Sequence, residues 1–173
     1  MGQDVNVPLA RAQEQAKSAH FFVSVAVFIL ALTAGADVVF PFARGLQAGE
    51  AGTVGEAITL FGLRLIAVSP LVFFALALGY LNGALGDFSR GEFFTKGAAG
   101  ALREAGLWSI AALIMKIAGA PTLTQWIGQR ESGITIDFDR FDFGVLALAM
   151  ALTLIGRVME AAAAIKADSD QIV

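Results

Sequence analysis

Leu78 to Trp108 reads L-G-Y-L-N-G-A-L-G-D-F-S-R-G-E-F-F-T-K-G-A-A-G-A-L-R-E-A-G-L-W. An apolar segment ends here, and a short charged turn follows with Asp87, Arg90, Glu92 and Lys96. Thr95 is placed as a helix N-cap, with Phe94 as the apolar residue before it. The helix predicted from that cap carries Arg103 and Glu104 and runs without a break into the next apolar segment. Apolar hairpin lies on either side of this stretch, so reading it as a capped turn between two long hydrophobic segments decides the fold.

Composition points the same way. Of 173 residues, 57% are hydrophobic and 16% charged, against about 45–50% and about 25% in an ordinary soluble domain. The excess falls in four blocks, residues 20–39, 58–85, 102–120 and 143–164, each long enough to cross a bilayer core of about 30 Å. A soluble domain of this size has no way to bury four helices that are apolar on every face. The expected fold is therefore all-α: an integral membrane four-helix bundle with an amphipathic cytoplasmic helix continuing into the third span. Residues 1–19 form a polar leader and residues 165–173 a short polar tail.

Other classes are excluded or weakened by residue content. There is no cysteine, hence no disulfide, thiolate metal site or cysteine nucleophile, and His20 is the single histidine. A formal net charge of −3 does not suggest direct nucleic-acid binding. No cofactor is expected.

Along the chain, Arg11 and Lys17 before an apolar run, then Ala34-Gly35-Ala36, have the outline of a cleaved signal. The leader also carries Asp4 and Glu14, and the first span is read as a retained anchor. Met1-Gly2 resembles a myristoylation start, but Asn6 replaces the required Ser or Thr. Pro41, Gly45, Gly49, Gly52 and Gly55 argue against a long helix through residues 40–57. In the second span Ala75, Gly79 and Gly83 share one face and would let another backbone approach closely. Pro70 is expected to kink that span, with Ser69 or a neighbouring helix meeting the freed carbonyl. Pro121 is expected to stop the third span. Trp126 fits an interfacial anchor. Residues 134–139 alternate like a strand. Asp137, Asp139 and Asp142 are loosely spaced like a calcium loop but lack its glycine and terminal glutamate; negative charge at a helix N-terminus is the better account. In the fourth span Ala147 and Ala151 form another small pair.

Four spans put both termini and the central turn on one side, together with Arg11, Lys17, Arg90, Lys96, Arg103, Arg157 and Lys166. The opposite side holds Arg44, Arg130 and Arg140. The positive-inside rule places the first group in the cytoplasm of a bacterial inner (plasma) membrane protein.

Charges inside spans are default functional candidates. Arg64 lies about 9 Å and Lys116 about 6 Å from the outer ends of their spans, at 1.5 Å per residue. Asp37 and Glu56 stand at the same end. The four either pair, or line a pocket for an anionic or zwitterionic ligand, or divide into snorkelling cations and loop acids. They form no nucleophile–base–orienter set, so an enzyme is not expected. Arg157 and Glu160, three apart, either pair or face water.

Asp87 to Thr95 followed by Leu102-Arg103-Glu104-Ala105-Gly106 resembles the cytoplasmic signature of small bacterial membrane proteins catalogued as domain-of-unknown-function family 2975. That family has a G-(E/N)-x-F-(S/T) turn leading into a helix with L-R-x-x-G. Ile136-Asp137-Phe138, Arg157-Val158-Met159-Glu160 and the terminal Asp170-Gln171-Ile172-Val173 extend the likeness. The family's Glu-Asn pair after the cap is replaced here by Gly97-Ala98. The resemblance implies a four-span membrane protein without known enzymatic activity, and a partner such as a small helix-turn-helix regulator. The expected function is thus a regulatory or interaction module whose cytoplasmic face, Arg90, Glu92, Thr95, Arg103, Glu104, Arg157 and Glu160, binds a protein. The alternatives are a small transporter or channel subunit using Arg64 and Lys116, and a structural subunit or homo-oligomer packing through Ala75, Gly79 and Gly83.

Overall fold

A computed structural model describes residues 6–47, 49, 52–129 and 132–169. The start of the leader, Arg130 and the terminal motif at 170–173 lie outside the described residues. All regular structure among the described residues is helical: α1 (Asn6–Gln47), α2 (Val54–Ser89), α3 (Lys96–Ile114), α4 (Ala120–Thr124) and α5 (Arg140–Ser169). A π-helical turn, Met115–Gly119, joins α3 to α4, and a second, Gln125–Gln129, follows α4. Four helical stretches are long and apolar enough to cross a membrane: Leu9–Gln47, Val54–Ser89, Lys96–Gly128 and Arg140–Ile165.

The helices pack as an open row in chain order. α1 packs on α2, α2 on α3, and α3 on α5; among the described residues α1 makes no backbone-scale contact with α3 or α5, and α2 none with α5. The bundle expected from sequence is therefore not closed on itself. Neighbours are antiparallel. The start of α3 meets the end of α5 through Arg103 and Glu160, and Lys116 near its other end meets Asp142 at the start of α5. We call the end holding residues 90–95 the turn end and the opposite one the strap end.

The closest helix contact is between α3 and α5. Ala98, Ala105 and Ala112, and beside them Ala99 and Gly106, are buried on α3 and repeat every seventh residue, as Ala149, Gly156 and Ala163 do on α5. Seven-residue recurrence keeps one seam facing its partner. A Cβ on Gly106 would stand 2.6 Å from the Ala149 carbonyl and 2.7 Å from the Thr153 nitrogen; one on Gly156 would stand 2.6 Å from the Arg103 nitrogen. Side chains are excluded there so that backbones can touch. By contrast, nothing lies within 4 Å of a Cβ on Gly79 or Gly83, which with Ala75 line an apolar groove beside Val27 and Ala101. Ala147 and Ala151 are also exposed. The small-residue spacings read as packing faces are open within the chain, and the close seam lies elsewhere.

Both ends of the central turn follow local chemistry. α2 stops in a Schellman motif: Glu92 N–H donates to Asp87 O at 3.0 Å, Gly91 N–H donates to Phe88 O at 3.0 Å, and Gly91 has φ +85°. Phe88 and Phe93 stack across it with centroids 5.6 Å apart. Thr95 then caps α3, its hydroxyl accepting from Ala98 N–H at 3.1 Å. Ala98 is fully buried, which leaves no room for a larger side chain at that position. The Gln13 side chain covers Gly91, and Ala16 is buried. Leader residues from Asn6 onward are the first turns of α1, which runs unbroken through residue 20, and Gln13 and Ala16 are its contacts at the turn end.

Prolines interrupt less than their sequence suggests. α1 passes through Pro41 and Gly45 to Gln47, shortening the expected turn. Val38 is buried against α2, and Phe42 meets Phe61 edge-on at 5.4 Å; this packing outweighs one lost backbone bond. At Pro70 the freed carbonyl is Ile66 O, and Ser69 Oγ donates to it at 2.6 Å. Pro121 does not end the third helix, which continues to Gln129. Its freed carbonyl, Ile117 O, accepts instead from Asp137 N–H at 2.8 Å.

That bond belongs to a strap, residues 132–139, which returns from the overshooting helix to α5. Thr122 Oγ1 donates to Thr135 O at 3.2 Å and accepts from Thr135 N–H at 3.1 Å; Trp126 Nε1 donates to Gly133 O at 2.6 Å. Thr135 Oγ1 also donates to Gln125 Oε1. The strand-like alternation is real in that Ile134 and Ile136 point outward while Thr135 is bonded inward. The partner is a helix, however, and no strand forms among the described residues.

Candidate functional site

Charged and polar side chains gather in three places along the row. At the strap end, Lys116 Nζ donates to Asp142 Oδ1 at 2.6 Å. Asp142 is 3% exposed, and its other oxygen accepts from Asp139 N–H at 2.8 Å. One carboxylate therefore ties the first turn of α5 to the π-helical turn after α3. The π-turn is a recurrent feature of functional sites, and here it carries Lys116.

The four-residue outer cluster expected from sequence does not assemble. Lys116 takes Asp142, not Asp37 or Glu56. Glu56 closes a capping box, its Oε2 accepting from Thr53 N–H at 3.0 Å while Thr53 Oγ1 accepts from Glu56 N–H at 3.3 Å. Asp37 and Arg64 are exposed and make no ion pair among the described residues. The acidic group at 137–142 holds no metal-ligand cluster among the described residues; Asp142 instead sits in the first turn of α5, where negative charge suits the helix dipole.

At the turn end, Arg103 on α3 pairs with Glu160 on α5 at 3.1 Å and with its neighbour Glu104 at 3.1 Å. Glu160 is thus taken by another helix, and Arg157, exposed, is not its partner. Arg103 Nε is buried without an acceptor. Arg90 pairs with Asp87 and lies 3.8 Å from Glu92. The charged residues expected to form a partner surface thus fall in two sets. Arg90, Arg103, Glu104 and Glu160 hold helices and turn together, whereas Arg157 is exposed without a described partner and Glu92, 54% exposed, has only the long contact to Arg90; Lys96, outside the expected set, is exposed beside them.

The third place lies in the α1–α2 contact and is invisible in the spacing of charges. His20 Nδ1 is 3.1 Å from Asn82 O; Ser24 Oγ and the Asn82 amide exchange hydrogen bonds at 3.0 and 3.2 Å. Polar side chains within apolar helices join helices in this way. The signal available was the pairing of His20 and Ser24 four apart with a lone Asn in the neighbouring span.

No family model, curated protein or solved structure matches the chain.

Proposed function

We propose that the chain is a multi-pass protein of a bacterial inner membrane, with both termini and the turn end cytoplasmic, acting without catalysis as an interaction module. The observation that supports membrane insertion is an inverted distribution of side-chain size. Packed contacts are made mostly by alanine and glycine, no large side chain among the described residues is fully buried, and Phe21, Phe22, Phe28, Ile29, Leu32, Phe141 and Phe143 are exposed. Soluble monomers rarely expose a contiguous apolar patch of more than a few hundred Å², whereas lipid solvates such a surface. The bias of basic residues toward the turn end supports the orientation.

Within this reading the partner surface is the untied part of the turn end: Glu92, Lys96 and Arg157. The motif likeness to family 2975 suggests the partner class, a small helix-turn-helix regulator. The transporter reading has less support, because Lys116 is already paired to Asp142.

Because the chain has no cysteine, Glu92→Cys and Gly133→Cys test orientation directly with a membrane-impermeant maleimide on intact cells. Labelling of the position-133 variant alone is expected; labelling of the position-92 variant alone would overturn the topology. For the partner, a helix-turn-helix regulator is expected to co-purify with the wild type. It should be lost from the Glu92→Ala/Lys96→Ala/Arg157→Ala variant at unchanged unfolding temperature. Equal recovery removes the interaction surface.

A further inference from the structure

α2 and α5 flank α3 with no backbone-scale contact between them among the described residues, and over α3 they leave a groove of about 360 Å³, within the range of small-ligand sites of about 300–1,000 Å³. Leu71 and Phe74 wall it on one side, Val145 on the other, and Leu113 lies at its floor. Ser109 also lines it, but its hydroxyl is turned to Ala105 O at 2.8 Å. The interior is therefore apolar, matched to hydrocarbon.

The outer mouth is different. Lys116 and Asp142 both line it. Both Asp142 oxygens are occupied, by Lys116 and by Asp139 N–H. An ammonium has three donors, and one of those on Lys116 is committed to Asp142. Its side chain is 44% exposed, so the remaining donors are free for a ligand oxygen. Arg64, exposed, continues the α2 stripe formed by Ala67, Leu71 and Phe74, one turn farther out. On the strap side stand exposed Asp137 and Asp139, held beside Lys116 by the bonds of their N–H groups to Ile117 O and Asp142 Oδ2.

This pattern selects among ligands. A hydrocarbon alone leaves the free donors of Lys116 unused. A purely anionic headgroup meets the two strap carboxylates at close range. A headgroup bearing a phosphate and a primary amine answers both signs of charge. We propose that the groove binds a zwitterionic amine phospholipid. One acyl chain lies on α3 between α2 and α5, the phosphate accepts from Lys116 and Arg64, and the ammonium faces Asp137 and Asp139. The proposal rests on the membrane reading given above.

The full chain in detergent is titrated with phosphatidylethanolamine, phosphatidylglycerol and free phosphoethanolamine. Retained lipid is read by native mass spectrometry and stability by thermal unfolding. Phosphatidylethanolamine is expected to be retained and to raise the unfolding temperature, with phosphatidylglycerol roughly tenfold or more weaker and the chain-free headgroup not retained. Ala67→Trp fills the groove from its exposed α2 wall and leaves Lys116 and Asp142 themselves unchanged. It is expected to lose lipid retention while keeping the lipid-free unfolding temperature. Asp137→Asn/Asp139→Asn is expected to abolish the preference between the two lipids. Equal retention of both lipids by the wild type overturns the headgroup assignment; equal retention by wild type and Ala67→Trp overturns the site. Carbonate extraction of membranes separates the underlying reading. A chain released by carbonate sinks membrane integration itself, whereas one that stays but retains no phosphatidylethanolamine loses only this site.

Discussion

Gly106 on α3 and Gly79 on α2 belong to faces of the same character, small residues recurring within long apolar helices. Their surroundings are opposite. Gly106 has the backbone of α5 against it, and any side chain there would overlap Ala149 and Thr153. Gly79 has open space above it. The difference lies in what flanks each face. The α3–α5 seam repeats every seven residues over four turns and is closed at both ends by ion pairs, Arg103–Glu160 and Lys116–Asp142. The Ala75–Gly79–Gly83 face repeats every four residues, and the charged residue next on that row, Asp87, pairs with Arg90 of its own turn and not with another helix. A small-residue stripe permits close approach; the polar residues at its ends decide whether approach occurs.

The largest effect should therefore come from filling the closed seam. Overpacking a tight contact costs typically about 1–3 kcal/mol and occasionally more, and backbone atoms at Gly106 leave no side chain to yield. Gly106→Leu is expected to reach or exceed the upper end, about 3 kcal/mol, measured by thermal or denaturant unfolding in detergent. Gly79→Leu should stay within about 0.5 kcal/mol, as for a surface substitution. If the two variants unfold alike, the contrast between the faces is wrong. If Gly79→Leu also changes the oligomeric state, the open face is used between copies.

Much of this was legible in sequence, and the misses have physical causes. Four long apolar helices, the Thr95 cap and the Ser69 rescue of Pro70 follow from local rules, since each depends on residues within one or two turns. The G-x-x-F-T likeness is local too: Gly91 is needed for a positive φ and Thr95 for a cap, which is chemistry that any Schellman turn followed by a capped helix shares. The helices run on past Pro41 and Pro121 because the lost backbone bond is offset by contacts distant in sequence, Phe42 on Phe61 and Asp137 on Ile117. Depth along the spans sets Lys116 level with Asp37 and Glu56 but does not name its partner. Its partner lies across a helix overshoot and a returning strap, which spacing along one helix does not reveal. The buried state of Asp142 depends on the same fold-back.

The two ion pairs that bound the seam differ in a way that ranks the next effect. Asp142 is 4% exposed at its side chain and Glu160 is 35%. Removing a cation strands the more buried carboxylate more severely. Lys116→Met is thus expected to lower the unfolding temperature more than Arg103→Met, and Lys116→Met/Asp142→Leu should recover much of the loss. The reverse ranking would show that the turn-end pair, not the strap-end one, secures α5.

Pro121 offers the smallest and most local change. Restoring an N–H there by Pro121→Ala supplies Ile117 O with an intrahelical donor that competes with the Asp137 N–H and weakens its bond. A proline in a helix interior costs roughly 3 kcal/mol relative to alanine. Part of that is offset here by the strap bond, so relief in the helix and loss at the strap should nearly cancel, leaving the unfolding temperature within a few degrees. The response belongs instead in amide exchange: faster at residues 133–139, unchanged along the α3–α5 seam. Faster exchange spreading into residues 149–156 would mean that strap and seam are one cooperative unit, and that the ion pair at Lys116 closes the seam only while the strap is held.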